Sequence, residues 1–201
     1  MLQRLNQNQK KTSNHMANSL LTLSEIKAIV GLGNPGPTYS FTPHNIGFLI
    51  LDNLCERYNG SWSEKNNMLV ATIKIADTKN NEREVLLVKP QTFMNNSGEI
   101  LKHLQKRGIK QENIFVVHDE IDFPFGKLAI KVGGSARGHN GLRSLIAHGG
   151  ENFLRLRCGV GRPENPADVG NFVTKKFIQS PDQVDKLVAK SADLILKELN
   201  L

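Results

Sequence analysis

Cysteine is scarce in this sequence: only Cys55 and Cys158 occur among 201 residues. Two thiols so far apart match no metal-ligand or redox spacing, which argues against a disulfide framework and reads as a pair of reduced, partly buried side chains in a reducing compartment. Long apolar runs are missing too. No stretch approaches the roughly 20 apolar residues that a membrane helix needs, and 39% hydrophobic with 22% charged residues is globular composition. A chain of this length fills one hydrophobic core and is short for two, so a single domain is expected. Acid is absent from residues 1–24, which also lack strand-like alternation before Leu20 and are rich in Asn, Gln, Ser and Thr. This segment reads as a disordered basic and polar tail preceding a domain at 25–201. It has no apolar stretch for secretion and a single arginine, Arg4, where a mitochondrial presequence would carry several; initiation at Met16 is an alternative start.

Acid is scarce in a second place. Between Lys127 and Arg162 there are seven basic residues, Lys127, Lys131, Arg137, Arg143, Arg155, Arg157 and Arg162, against one acid, Glu151. The formal net charge is +7, and most of it resides here. Scattered lysines usually mark a solvated face, but five of these seven are arginine, the side chain suited to bidentate phosphate contacts. A polyanionic partner is indicated.

Periodicity supplies the elements. Ile26 to Val30 is a strand, followed by a proline-interrupted loop to Pro43 and a helix from about Asn45 to Tyr58 whose apolar face is Ile46, Leu49, Ile50, Leu54 and Tyr58. Met68 to Ile75 and Val85 to Val88 form a hairpin. A second helix is expected over Asn95 to Lys106, strands at Ile114 to Val117 and Leu128 to Val132, and a short helix from Gly138 to His148 after a glycine-rich loop. Phe153 to Val160 alternates apolar residues with arginines, the pattern of a strand with one wet face. A last helix opens at Pro181 and runs to about Leu199. Strands interleaved with helices predict a mixed, mostly parallel β-sheet flanked by helices.

Gly31-Leu-Gly-Asn-Pro-Gly36 after the first strand literally matches the dinucleotide-binding G-x-G-x-x-G. Pro35 removes an N–H that a pyrophosphate would need, Pro37 and Pro43 delay the helix, and Asp52 falls inside that helix rather than at the end of a second strand, so the match is rejected. What the loop delivers instead is Asn34, at the carboxyl end of a strand, with His44 just before a helix. Asp119 and Glu120 end the Ile114 strand on the same rim, where open α/β sheets bind ligands. A neutral histidine can take a proton from water, a carboxylate behind it fixes the tautomer, and carboxamides donate to a carbonyl oxygen as charge develops, all without metal. Local alternatives stand beside this. His44, Asn95, Asn96 and Asn140 are candidate helix caps, Asn34 a turn former, and Asp119 a strand-end turn residue. His118, His139 and Asp119 hint at a metal site but lack a metal-binding spacing.

Taken together, Val30-Gly-Leu-Gly-Asn-Pro-Gly36 with Tyr39 and His44-Asn45, Lys89-Pro-Gln-Thr-Phe-Met-Asn95 with Ser97-Gly98, His118-Asp-Glu-Ile-Asp122, and Gly133-Gly-Ser-Ala-Arg-Gly-His-Asn-Gly141 closely resemble the bacterial-type peptidyl-tRNA hydrolase family. The resemblance spans about Ile26 to Phe177 in family order. It implies a fold of phosphorylase/hydrolase-like type and hydrolysis of the ester joining a peptide to the 3′ ribose of tRNA, by a cytoplasmic monomer with no cofactor and no metal. Carried over by motif position, His44 is the general base and Asp119 keeps it basic. Asn34 separates peptidyl-tRNA from aminoacyl-tRNA, Asn95 and Asn140 bind and orient the ester and peptide, and Tyr39 and Phe93 flank the pocket. Lys131 and Arg157 fall where the family clamps tRNA phosphate. The tail, and a chain ending at Leu201 where many relatives add a short basic segment, depart from the family pattern. Two competing readings are a non-catalytic RNA-binding or splicing factor on the same fold, and a Rossmann-type cofactor enzyme.

Overall fold

Ala28–Gly31, an uncharged aliphatic run with every residue buried, forms β1 at the middle of the sheet. The computed structural model describes residues 26–76 and 81–199, so the expected tail lies outside the described residues. Among these, seven strands make one sheet in the order β2-β3-β4-β1-β5-β7-β6. They are β2 Ser63–Lys65, β3 Met68–Ala76, β4 Glu82–Pro90, β5 Ile114–Glu120, β6 Leu128–Val132 and β7 Leu154–Gly159 around β1. The four central strands run parallel, β1 with β4 and β5 and β5 with β7. Antiparallel strands extend both sides, β3 and β2 beyond β4, and β6 beyond β7. The sheet is therefore mixed, with its parallel part buried at the centre as two helical layers require.

Each layer closes its own core. On one face, α1 (Ile46–Arg57) and α5 (Pro181–Glu198) cover Ile29, Phe115, Val117 and Leu156. On the other, α2 (Leu101–Lys106) and α3 (Asn140–Gly149) cover Ala28, Val30 and Val116. Helix α1 crosses the strands at backbone contact: a Cβ on Gly47 would lie 2.6 Å from Leu32 N and O and from Val117 O. Ser180 and Gln183 form a capping box in front of Pro181, which fixes the start of α5.

Several expected boundaries move for local reasons. The second helix is corrected: Met94–Ile100 winds as a 3₁₀ helix and only Leu101–Lys106 is α-helical. Asn95, Asn96, Ser97 and Gly98 are weak α-formers, and the Ser97 hydroxyl donates back to Met94 O at 2.9 Å. The glycine-loop helix begins at Asn140 rather than Gly138, because Gly138 sits at φ +86° and His139 is the extended N-cap. Strand β2, three exposed residues, and α4 (Val169–Thr174) carried too little periodicity to anticipate. The wet face expected of β7 is dry at Arg155, which is buried. Both cysteines are free and buried, and burial pushes Cys158 up to about 12 and raises Cys55. No helix of the described residues is long and apolar enough to cross a membrane.

Candidate active site

A cleft of about 830 Å³ opens at the carboxyl ends of the parallel strands, walled by the loops after β1, β4 and β5 and by the glycine-rich loop before α3. Two of these loops bring the chemistry. The loop after β1 is built for close approach to α1: a Cβ on Gly31 would meet Gly47 O at 2.5 Å, and one on Gly33 the Phe48 ring at 2.7 Å. That is the physical purpose of the first two glycines in the sequence that mimics a dinucleotide motif. Asn45, at the foot of α1, then grips the loop backbone, accepting from Asn34 N at 2.8 Å and donating to Asn34 O at 2.9 Å. Asn34 has no positive φ, so it is not a turn former. Its Oδ1 accepts from Met94 N at 2.8 Å, which fixes the amide and leaves Nδ2 for the cleft.

His44 caps no helix, since neither the 3₁₀ turn Pro43–Asn45 nor α1 takes a side-chain cap. Its Nδ1 lies 2.9 Å from Asp119 Oδ1, across 75 residues of sequence. Asp119 is a buried strand residue rather than a turn former. Burial alone would raise its pKa, but the imidazoles of His44 and His139 override it and hold the carboxyl well below the usual range. For His44, burial pulls the pKa down and the Asp119 charge and hydrogen bond more than restore it, leaving it above the ordinary value. A carboxylate can only accept, so His44 Nδ1 carries the hydrogen and the Nε2 lone pair is left without a protein partner in the cleft.

The glycine-rich loop reaches the same carboxylate from the opposite helical layer. Arg155 donates to Ser135 O at 2.9 Å and to Gly134 O, pinning the loop from beneath. His139 follows, with Nδ1 accepting from Gly141 N at 3.1 Å and Leu142 N at 3.3 Å as the cap of α3. Its Nε2 lies 2.9 Å from Asp119 Oδ1. His44, Asp119 and His139 offer ligand atoms within 4.8 Å of one another, the only metal-like group among the described residues. The cap decides against that use: with Nδ1 accepting, Nε2 bears a hydrogen and has no lone pair for an ion. Burial and then the neighbouring His139 pull the His118 pKa down to about 3, so the ring is neutral near pH 7, and its Nδ1 donates to Asp119 O at 2.7 Å.

The remaining anticipated residues are placed unevenly. Asn140, the first residue of α3 and not its cap, has Oδ1 held by Arg143 at 3.1 Å, which turns its NH₂ free. Asn95 lines the cleft, exposed, and caps nothing. Phe93 lines it as well, 59% exposed, while Tyr39 lies behind it in an edge-to-face contact at 6.5 Å. Lys131 and Arg157 both line the cleft, but Arg157 is engaged: Nε and Nη2 each lie 2.8 Å from Glu120 Oε2, and the guanidinium covers the Phe123 ring. His139, Asn45 and Arg155 were not anticipated in these roles. The helix-capping position of His139, directly before Asn140, was the one signal available in the chain.

Such a cleft, on a mixed sheet enclosed by two helical layers, defines a class: α/β proteins equipped for general-base chemistry. The family described as Peptidyl-tRNA hydrolase matches residues 28–200. A peptidyl-tRNA hydrolase of Rubrobacter xylanophilus is 40% identical over 169 residues, 84% of this chain and 92% of that protein. One of Rickettsia bellii is 41% identical over 175 residues, 86% and 91% of the two chains. The crystal structure of an Arg119Gln mutant of peptidyl-tRNA hydrolase from Acinetobacter baumannii superposes with a TM-score of 0.77 at 33% identity, covering 88% of each chain. The chain belongs to the peptidyl-tRNA hydrolase family.

Proposed function

We propose that this chain, as one domain starting near residue 25, hydrolyses the ester between a peptide and the 3′ ribose of tRNA, with His44 as general base. The observation that carries the reading is the His44–Asp119 pair, with the Nδ1–H directed at the carboxylate and Nε2 open to the cleft. Nε2 takes a proton from water as the oxygen adds to the ester carbonyl. The developing oxyanion is met by carboxamide NH₂ groups, of which Asn34 and Asn140 are pre-oriented because their oxygens are already occupied. The ester C–O bond then breaks, and the imidazolium returns its proton to the departing ribose oxygen. Asn34, fixed between Asn45 and Met94, tests for a peptide amide; Asn95, Phe93 and, behind it, Tyr39 receive the peptide side. Lys131 and the edge of Arg157 supply positive potential for RNA. The chemistry asks for no cofactor, and the reading is of a cytoplasmic monomer acting beside translation.

The test is release of an N-blocked aminoacyl group from tRNA. His44→Ala lowers kcat/KM by about 10² to 10⁴, the usual scale of general-base assistance, while leaving the melting temperature near wild type. Full turnover by His44→Ala would overturn the base assignment. RNA binding with no turnover by the wild type would favour the non-catalytic alternative.

A further inference from the structure

We infer that His139 is a positioning residue for this reaction: by donating to the same oxygen of Asp119 that His44 uses, it fixes the carboxylate and sets how basic His44 becomes. The inference rests on His44 being the base. Asp119 Oδ1 lies 2.9 Å from His44 Nδ1 and 2.9 Å from His139 Nε2, and the two rings lie 5.0 Å apart. His139 cannot turn away, because the first turn of α3 donates two backbone N–H groups to its other nitrogen. The helix terminus thereby dictates the tautomer, and the tautomer dictates that Nε2 is a donor.

Two donors on one oxygen divide its accepting capacity. Removing one lets the carboxylate hold the His44 proton more tightly and lets Asp119 rotate. The other groups facing this pair from neighbouring strands are accounted for. His118 is neutral, Cys158 is a thiol, Glu120 is paired with Arg157, and Arg155 is bound to loop carbonyls. The acid limb of the rate profile therefore reports the His44 ring as its neighbours set it.

His139→Asn separates positioning from structure, because Asn is a good N-cap but too short to reach Asp119. The expected result is a melting temperature near wild type, kcat lower by about 10- to 100-fold with KM little changed, and an acid limb displaced to higher pH. A wild-type profile from His139→Asn, or a loss matched entirely by a lower melting temperature, overturns the inference. Independently of any variant, long-range ¹⁵N correlations of the wild type should show His139 as the Nε2–H tautomer; an Nδ1–H tautomer overturns it. If His44→Ala keeps its activity, the general-base reading fails instead, and the two failures are distinct.

A different observation points to a second site, a seat for a phosphate of the substrate's RNA strand formed by Arg137 and Arg162. The expected phosphate residue Arg157 is already held by Glu120, its side chain 16% exposed. At the mouth of the same cleft, Arg162 Nη1 lies 3.0 Å from Asp122 Oδ1 and Arg137 Nη1 3.8 Å from Oδ2. Both arginine side chains are at least half exposed, at 60% for Arg137 and 50% for Arg162, and two guanidinium groups on one carboxylate leave a net positive charge and unused N–H donors. Arg137 also holds φ at +45°, a conformation that costs a non-glycine residue energy yet presents its side chain at the rim. A phosphodiester can take the N–H donors that Asp122 leaves unused, given the tRNA-substrate reading on which this rests.

Binding of deacylated tRNA, measured over a range of salt concentrations, tests it. Arg137→Ala with Arg162→Ala should weaken binding and reduce the slope of log affinity against log salt by about 0.7, one phosphate contact on a single strand. Asp122→Asn should tighten binding. An unchanged slope, or an effect confined to substrates with acidic peptides, overturns the seat. Absence of tRNA binding by the wild type would instead sink the substrate reading itself.

Discussion

Two glycine-rich loops flank the cleft, and their glycines answer to different physics. In Gly31–Gly36 the first two glycines exist for space, since a Cβ at Gly31 or Gly33 would strike α1, and only Gly36 takes a positive φ, +101°. In Gly133–Gly138 they exist for conformation: Gly133, Gly134 and Gly138 lie at φ +63°, +99° and +86°, and a Cβ on Gly138 would meet nothing within 4 Å. Each loop is pinned by one side chain, chosen for what the backbone offers. Asn45 reads both N–H and C=O of Asn34, and Arg155 reads two carbonyls. Each also carries one histidine to Asp119, from opposite sides of the sheet. Composition alone does not distinguish them; the direction in which substitution fails does.

The contrast is broken or sharpened most strongly at Gly47, the helix side of the first contact. Gly47→Ala forces a methyl into backbone atoms of Leu32, just past β1, and of Val117 in β5, and a loss of about 3 kcal/mol or more is expected in denaturant unfolding. A loss under 1 kcal/mol would mean that α1 can move off the sheet. Next comes Arg155→Lys, which keeps the charge but cannot span two carbonyls with a planar fork. It should cost about 1–3 kcal/mol, and hydrogen exchange at Ser135 to Gly138 should rise ahead of the loop at Asn34. Gly138→Ala is smaller, about 1–2 kcal/mol of φ strain with no clash, read from a melting curve.

The pH dependence gives the smallest effect and couples the two loops. His44 works as the neutral ring, so kcat/KM should rise with pH through a His44 pKa above its ordinary value. Stability should move the other way. A raised folded pKa means that the protonated His44–Asp119 pair contributes fully below the ordinary histidine value, and that the contribution is lost as pH rises through the folded pKa. Asp119, depressed, contributes above the ordinary carboxyl value and loses that contribution as pH falls toward its folded pKa. Parallel pH dependences of activity and melting temperature would contradict this pair.

Much of the fold was legible in the sequence, because strand and helix periodicities are local. β1, β5 and α5 emerge from runs that bury one face or both. Asn34, His44 and Asp119 were also legible as residues at strand ends and helix starts, and four ordered motifs gave the family. The short β2 and α4 and the 3₁₀ winding of Met94–Ile100 were not, since so few residues, or a run of weak α-formers, carry too little periodicity, and the burial of Arg155 was not because it depends on loop carbonyls some 20 residues away.

The sequence by itself determined which chemical groups stand on the rim and that no dinucleotide loop could form around Pro35. Tertiary structure alone decided that Gly31 and Gly33 serve helix contact, that Arg157 is spent on Glu120, and that one oxygen of Asp119 is shared between His44 and His139. The reason is that periodicity encodes which face of an element is buried. Which groups meet across that face, 75 residues apart for His44 and Asp119, is settled only when both helical layers close on the sheet.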